Sequence, residues 1–296
     1  MICIVSSDAG GAEIISSWAR RQKKNFLYVL KGPAVRIFQS KLGKIHVSEL
    51  EVSIRKSDKV ICGTSWESDI EKKAILYSKK IGKKVICFLD HWVNYQGRFV
   101  YKKRMVLPDE IWVVDKYAKN LAQRQFKGTK IKKKTNFYFK DLKLEIDKIK
   151  KKKTNYKHIL FLSEPITKGD FINSNGVEVF YDYSIRDAFN YFIENLRFIS
   201  SEIHNVVIRP HPSETNQKWA WAQKNKLVKK INNKESLIEQ ILNSDLIVGC
   251  ETMAMIVGVI AKKRVISIIP PGGKKCSLPH REIEHLQAIK KKIENI

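Results

Sequence analysis

Short runs of β-branched and aliphatic residues recur along the chain. Each is followed by a turn and then by apolar residues at helical spacing. In the first half, residues 2–5, 26–30, 59–62, 84–89 and 110–114 read as strands. Between them lie a turn at 6–11 with a helix to about residue 24, a helix near 34–42 opened by Gly32-Pro33, and a turn at 63–66 with a helix to residue 81. A Lys-rich stretch from 130 to 155, poor in large aliphatics, reads as a boundary with an exposed helix. The alternation then restarts, with strands at 159–162, 206–208, 246–248 and 265–269 and helices at 185–200, 236–242, 251–261 and about 281–295. Strands that alternate with helices imply βαβ units and parallel sheets, so the fold class is α/β with two Rossmann-like domains. The boundaries are 1–140 for the first domain, 141–156 for a basic linker and 157–296 for the second.

The chain of 296 residues is 43% hydrophobic, enough for two packed cores, yet carries a net charge of +26. Most of the surplus is Lys scattered among Ile and Asn, which an AT-rich genome produces without selection. It equally suits attraction to an anionic membrane surface. Nucleic acid is not the expected partner, because no base-reading module is present. The five cysteines are odd in number and mostly lie inside apolar runs, as reduced cytoplasmic thiols do. Neither a metal-ligand cluster nor a signal peptide is expected, and no apolar run approaches the ~18 residues that span a bilayer.

Candidate chemistry gathers where strands end, since open α/β sheets bind ligands at the carboxyl edge. After the run at 206–208 comes Arg209-Pro210-His211-Pro212-Ser213-Glu214: a permanent cation and an imidazole held between two prolines. Arg209 suits phosphate, and His211 suits donation of a hydrogen bond or a proton. Ser163 and Glu164 close the strand at 159–162. Glu251 and Thr252 follow the strand at 246–248, where they and free backbone N–H groups suit a ribose or phosphate, or serve as caps. Gly272 and Gly273 add a Gly-rich loop. In the first domain, Asp8 precedes Gly10 and Gly11, two glycines that let backbone approach a ligand at a helix start. Asp8 is placed either to deprotonate an acceptor hydroxyl or to cap the helix. Asp90, His91 and Trp92 end the strand at 84–89 as a platform for sugar, with Gly63 to Trp66 a weaker candidate. Should Asp8 not be the base, Glu13, Glu67 and Asp90 are the alternatives.

With those residues in place the chain resembles glycosyltransferases of the GT-B fold, and more narrowly the bacterial sialyltransferases and Kdo transferases that use CMP-activated sugars. His211-Pro212 matches the His-Pro motif of those families, and Glu251-Thr252 loosely matches their helix start. The family's acidic-acidic-glycine motif is unmatched, with Asp8-Ala9-Gly10 its nearest counterpart. The resemblance implies a metal-independent glycosyltransferase without cofactor, its active site in the cleft between two domains. Asp8 is then the base and His211, with Arg209, stabilises the departing phosphate. Pro212, Ser213, Glu214, Ser163, Glu164, Glu251, Thr252, Gly272 and Gly273 bind the nucleotide-sugar donor. Gly10, Gly11, Asp90, His91 and Trp92 bind a glycan or glycolipid acceptor, and the enzyme sits at the inner face of the cell membrane. His-Pro after a strand also occurs in UDP-GlcNAc 2-epimerases and in teichoic-acid glycerophosphotransferases, which stand as alternatives, beside a non-enzymatic basic protein that binds nucleic acid or an anionic polymer.

Overall fold

In the computed structural model the described residues are 1–65, 68–149, 158–172, 178–200, 202, 205–212, 214–232 and 234–295. Trp66, Glu67, Ser213 and the linker residues 150–156 therefore lie outside the described residues. Met1–Asp141 with Phe171–Val179 form one compact unit, and Leu142–Asp170 with Phe180–Ile296 a second. The helix Phe137–Lys148 runs through the boundary expected at residue 140.

The first unit carries six parallel strands: β1 (Ile2–Ser6), β2 (Phe26–Leu30), β3 (Lys59–Cys62), β4 (Lys84–Leu89), β5 (Glu110–Val113) and β6 (Lys130–Lys133), in the order β2-β1-β3-β4-β5-β6. Helices α1 (Ala9–Ala19), α2 (Pro33–Leu42), α3 (Leu50–Arg55), α4 (Ile70–Lys80), α5 (Lys116–Gln125) and α6 (Phe137–Lys148) follow the strands. Strands buried on both faces read as unbroken apolar runs rather than alternating ones, and β1, β4 and β5 are accordingly almost wholly buried. Ile4, Ile14, Ile15, Phe38 and Phe88 form the core on one face, where Trp112 meets Trp18 and Phe88 edge-on at 5.7 and 5.2 Å.

The second unit repeats the plan with β7 (His158–Leu162), β8 (Asn205–Arg209), β9 (Val228–Ile231), β10 (Leu246–Gly249), β11 (Arg264–Ser267) and β12 (Ile283–His285). Their order is β9-β8-β7-β10-β11-β12, again all parallel. Its helices are α7 (Ile185–Glu194), α8 (Leu237–Leu242), α9 (Met253–Ile260) and α10 (Leu286–Glu294). Ser184 and Ser236 start α7 and α8 with complete capping boxes, each worth ~1 kcal/mol. Phe161 anchors the core against Phe189 and Trp219 at 5.2 and 5.3 Å.

Three expectations shift. The Lys-rich stretch from residue 130 begins with a sheet strand, β6, whose alternate lysines cover an edge. Residues 283–285 of the expected last helix form β12, so that helix starts at Leu286. Glu251 and Thr252 lie before α9 rather than in its first turn, with Thr252 the N-cap.

Candidate functional site

Each sheet reverses its direction of growth once, and the carboxyl ends of the two strands flanking that point form a crevice. In the second unit the flanking strands are β7 and β10. Ser163 and Glu164 leave β7 there, and Cys250, Glu251 and Thr252 leave β10.

Glu214 organises this edge. Its buried carboxylate accepts from the Ser163 hydroxyl, the Lys218 ammonium at 2.7 Å, the His211 N–H at 3.0 Å and the Trp219 indole at 3.4 Å. Burial alone would raise its pKa, but Lys218, Ser163 and the His211 N–H together hold it below the usual carboxylate range. A further bond, Glu214 N–H to His211 O at 2.8 Å, closes the turn. His211 is thereby fixed through its backbone at the end of β8, with its side chain partly exposed.

Glu164 lies deeper. Its Oε1 accepts from the N–H groups of Cys250 at 3.1 Å and Glu251 at 2.8 Å. Those donors, expected to be open to a phosphate, are thus occupied by a carboxyl of the chain itself. Burial pushes Glu164 up to about 8 against these backbone bonds, and the Glu251 charge adds to the rise. Glu251 accepts from Ser277 N–H at 3.0 Å through Oε2. The Thr252 hydroxyl caps α9 by accepting from Ala254 N–H. Burial, with the neighbouring charge of Glu251, raises Tyr181 to about 12; burial likewise raises Tyr183. Gly272, at φ +91°, turns the loop after Pro270-Pro271, and Gly273 packs where a β-carbon would meet Ile269 at 2.6 Å and the Tyr183 ring at 2.8 Å. Pro212 is exposed beside His211. Arg209 is directed elsewhere: its Nη1 donates to Glu235 O at 2.8 Å and to Gln240 Oε1 at 2.6 Å, binding the segment that leads into α8.

In the first unit the flanking strands are β1 and β3. Asp8 holds the N-cap position of α1 in extended backbone, but its side chain makes no capping bond. The two glycines after it are consumed by packing rather than left facing a ligand. A β-carbon on Gly11 would stand 3.2 Å from Gly63 Cα, and one on Gly10 would stand 2.0 Å from Asp90 Oδ2. Asp90 is buried, accepting from Thr64 Oγ1 and from Arg98 Nη1, both at 3.1 Å. His91 Nδ1 is buried without a hydrogen-bond partner, and burial, then the Arg98 guanidinium, depresses the imidazole to about 4. Trp92 provides no exposed platform: it is 3% exposed, and its indole donates to Asp115 at 2.8 Å, the same carboxylate that caps α5.

Two residues of this edge, Glu71 and Arg98, were not singled out by pattern, whereas Thr64 lay within the weaker candidate at Gly63 to Trp66. Glu71, on α4, is 2% exposed; its Oε1 accepts from both Ser7 N–H and Ser7 Oγ at 2.7 Å, while Oε2 is buried without a partner. Burial pushes it up to about 7 against those bonds from Ser7. Arg98 and Thr64 hold Asp90. Within IEKKAILYSKK the glutamate looks like any solvent-facing helix residue, and only the turn at Ser7 reveals its use. Among the described residues no group of three or more His, Cys, Asp or Glu side chains is placed to hold a metal ion, and no helix is long and apolar enough to cross a membrane.

No protein-family model matches the chain, and no curated protein matches it by sequence. Solved structures match over its whole length. The UDP-GlcNAc 2-epimerase of Methanocaldococcus jannaschii, in complex with UDP-GlcNAc and UDP, is 13% identical with a TM-score of 0.64, covering 99% of this chain and 92% of its own. The S. aureus MnaA–UDP structure is 11% identical with a TM-score of 0.66, covering 99% and 87%. Anabaena Alr3699/HepE in complex with UDP and glucose is 11% identical with a TM-score of 0.58, covering 99% and 90%. At such identities the likeness is one of fold. The chain is an α/β protein of two Rossmann-like units with the GT-B-like fold of these structures.

Proposed function

We propose that the chain is an enzyme acting on a UDP-sugar, and that epimerisation of the sugar is its reaction. This replaces the CMP-sugar transferase expected from the His-Pro motif. The observation that supports it is the crevice at β7 and β10, where Glu214 fixes His211 and Ser163 beside Glu164 and Glu251. The full-length likeness to structures named as UDP-GlcNAc 2-epimerases points the same way. Glu251, with one carboxylate oxygen tied to Ser277, offers the other to a ribose hydroxyl. His211 donates to the phosphate nearest the sugar. Inverting a carbon centre requires removing a proton from one face and returning one to the other. Asp8 is the carboxylate assigned to that exchange, since Asp90 is buried and held by Thr64 and Arg98.

Glycosyl transfer is the second reading, favoured by one observation: the Asp8 carboxylate stands at an N-cap yet does not cap. One experiment separates the two. The protein is incubated with UDP-GlcNAc in deuterated water without acceptor, and the recovered sugar is examined by mass spectrometry and NMR. Solvent deuterium at an inverted carbon carries the epimerase reading. Unlabelled, unchanged UDP-GlcNAc there, with UDP released only when a glycan acceptor is added in a parallel reaction, carries transfer. A thermal-shift series with UDP, CMP and GDP tests the nucleotide first, since a ligand that binds only the folded state raises the melting temperature by mass action.

A further inference from the structure

The turn that carries Asp8 is held by a residue outside it. Ser7, 6% exposed, stands between the end of β1 and Asp8. It gives both of its donors, the backbone N–H and the hydroxyl, to one oxygen of Glu71, each at 2.7 Å. On the other side, Ala12 N–H donates to Asp8 O at 3.0 Å as α1 begins. The backbone of Asp8 is thus fixed from two directions, through Ser7 by α4 and through its own carbonyl by α1.

The second oxygen of Glu71 sets this contact apart from an ordinary carboxylate clamp. Glu71 is 2% exposed, and its Oε2 is buried without a hydrogen-bond partner. Among the described residues, the charged and titratable groups that bear on it are Asp8 from the turn, Lys72 from α4 itself and Cys62 at the end of β3. The Lys72 ammonium is spent elsewhere, on Ser65 O at 3.2 Å, Ser68 O at 2.8 Å and the Asp69 carboxylate at 3.7 Å. Burial raises the Cys62 thiol, so it brings no charge. A negative charge on Glu71 would therefore be buried with no hydrogen-bonded cation, and such a charge is costly. A proton on Oε2 removes that cost and leaves Oε1 to accept from Ser7. Burial pushes Glu71 up to about 7 against the Ser7 bonds, and the Asp8 charge adds to the rise.

Resting on the assignment of Asp8 to the proton exchange of a UDP-sugar, we propose that Glu71 is the positioning residue of that carboxylate: it holds Asp8 in place through Ser7 and, by carrying the proton of the pair, leaves Asp8 ionised. Two interacting carboxyls divide their protons unequally, and the one in the drier site keeps its own. Their titrations are coupled, so loss of the Glu71 proton is felt at Asp8.

Carbon-13 NMR of the side-chain carboxyls tests this on the full chain, the Asp8 signal being assigned by its loss in Asp8→Asn. In wild type the Asp8 resonance is expected to show a second inflection near pH 7, shared with Glu71. Glu71→Gln keeps an oxygen for Ser7 but cannot titrate, and is expected to remove that inflection. A single inflection at Asp8 in wild type, or a second one that survives Glu71→Gln, overturns the proposal. The wild-type curve decides the first point without any variant having to fold. Turnover of UDP-GlcNAc is the second readout. Glu71→Ala leaves both Ser7 donors without their acceptor, and is expected to lower kcat by about 10²-fold with KM little changed. Glu71→Gln is expected to restore kcat below pH 7, where the native residue is itself neutral. Equal kcat in wild type and Glu71→Ala overturns the positioning role. Coupled titration in a chain that does not turn over UDP-GlcNAc removes the UDP-sugar reading and keeps the pairing of Asp8 with Glu71.

Discussion

Replacing Gly10 by Ala tests the first unit's crevice through one atom. A β-carbon at position 10 would sit 2.0 Å from Asp90 Oδ2 and 3.1 Å from its Cγ, so the carboxylate must leave its place. In leaving, it abandons Thr64 Oγ1 and Arg98 Nη1, both 3.1 Å away and both buried. Removing one partner of a buried ion pair costs about 3–5 kcal/mol. The substitution also exchanges Gly for the best helix former inside α1, which returns up to about 1 kcal/mol, so the net loss should be about 2–4 kcal/mol. Urea denaturation followed by far-UV circular dichroism measures it. The decisive comparison is a double-mutant cycle with Asp90→Ala, which removes the carboxylate before the methyl arrives. There Gly10→Ala should be neutral or mildly stabilising. A wild-type chain that tolerates Gly10→Ala, or an equal loss in both backgrounds, would refute the claim that Gly10 exists to admit Asp90.

Glu164→Gln keeps an oxygen for the Cys250 and Glu251 N–H groups but cannot titrate. Because burial raises Glu164 to about 8 in the folded chain, its stabilising contribution is full below about 4.5 and is lost as pH rises through about 8. The wild-type melting temperature should therefore fall over that window, and the variant's should fall less. Glu214→Ala should cost roughly 2–4 kcal/mol in chemical denaturation, since a buried hydroxyl, an indole and a backbone N–H lose their acceptor together. His211→Ala should lower turnover by ~10²–10⁴ with little change in melting temperature, because Glu214 binds the backbone of His211. Asp8→Asn should cut turnover sharply only if the carboxylate handles a proton, a rate measurement with saturating substrate deciding it.

The central strands were legible because burial on both faces leaves uninterrupted apolar runs: the expected strands at 59–62 and 84–89 are β3 and β4 residue for residue. Of the edge strands, β2 was read at 26–30, but β6, β9 and β12 were not. β6 is KIKK and β9 is VKKI, and their exposed positions carry lysines that look like loop. Helix α5 was missed for a related reason: only Ala118 and Ala122 are buried along it, so no apolar stripe marks it and the signal is the cap at Asp115. At the candidate site, the residue types at strand ends were legible, but their pairing was not. Sequence put Arg209 and the N–H groups of residues 250–251 at the disposal of a ligand. The fold assigns the first to Gln240 and the second to Glu164. Such commitments depend on residues many positions apart, and no local pattern announces them.

The strand order of the second sheet also bears on how the chain emerges during synthesis. The first sheet needs nothing beyond Lys133, so it can close while the rest is still being made. The centre of the second sheet is β7, ending at Leu162, yet its two neighbours begin only at Asn205 and Leu246. From the time β7 appears until Gly249 has left the ribosome, at least one of its edges is a bare apolar strand, the state in which parallel sheets are slow and adhesive. Nascent chains stalled between residues 162 and 249 are thus the forms most in need of a chaperone.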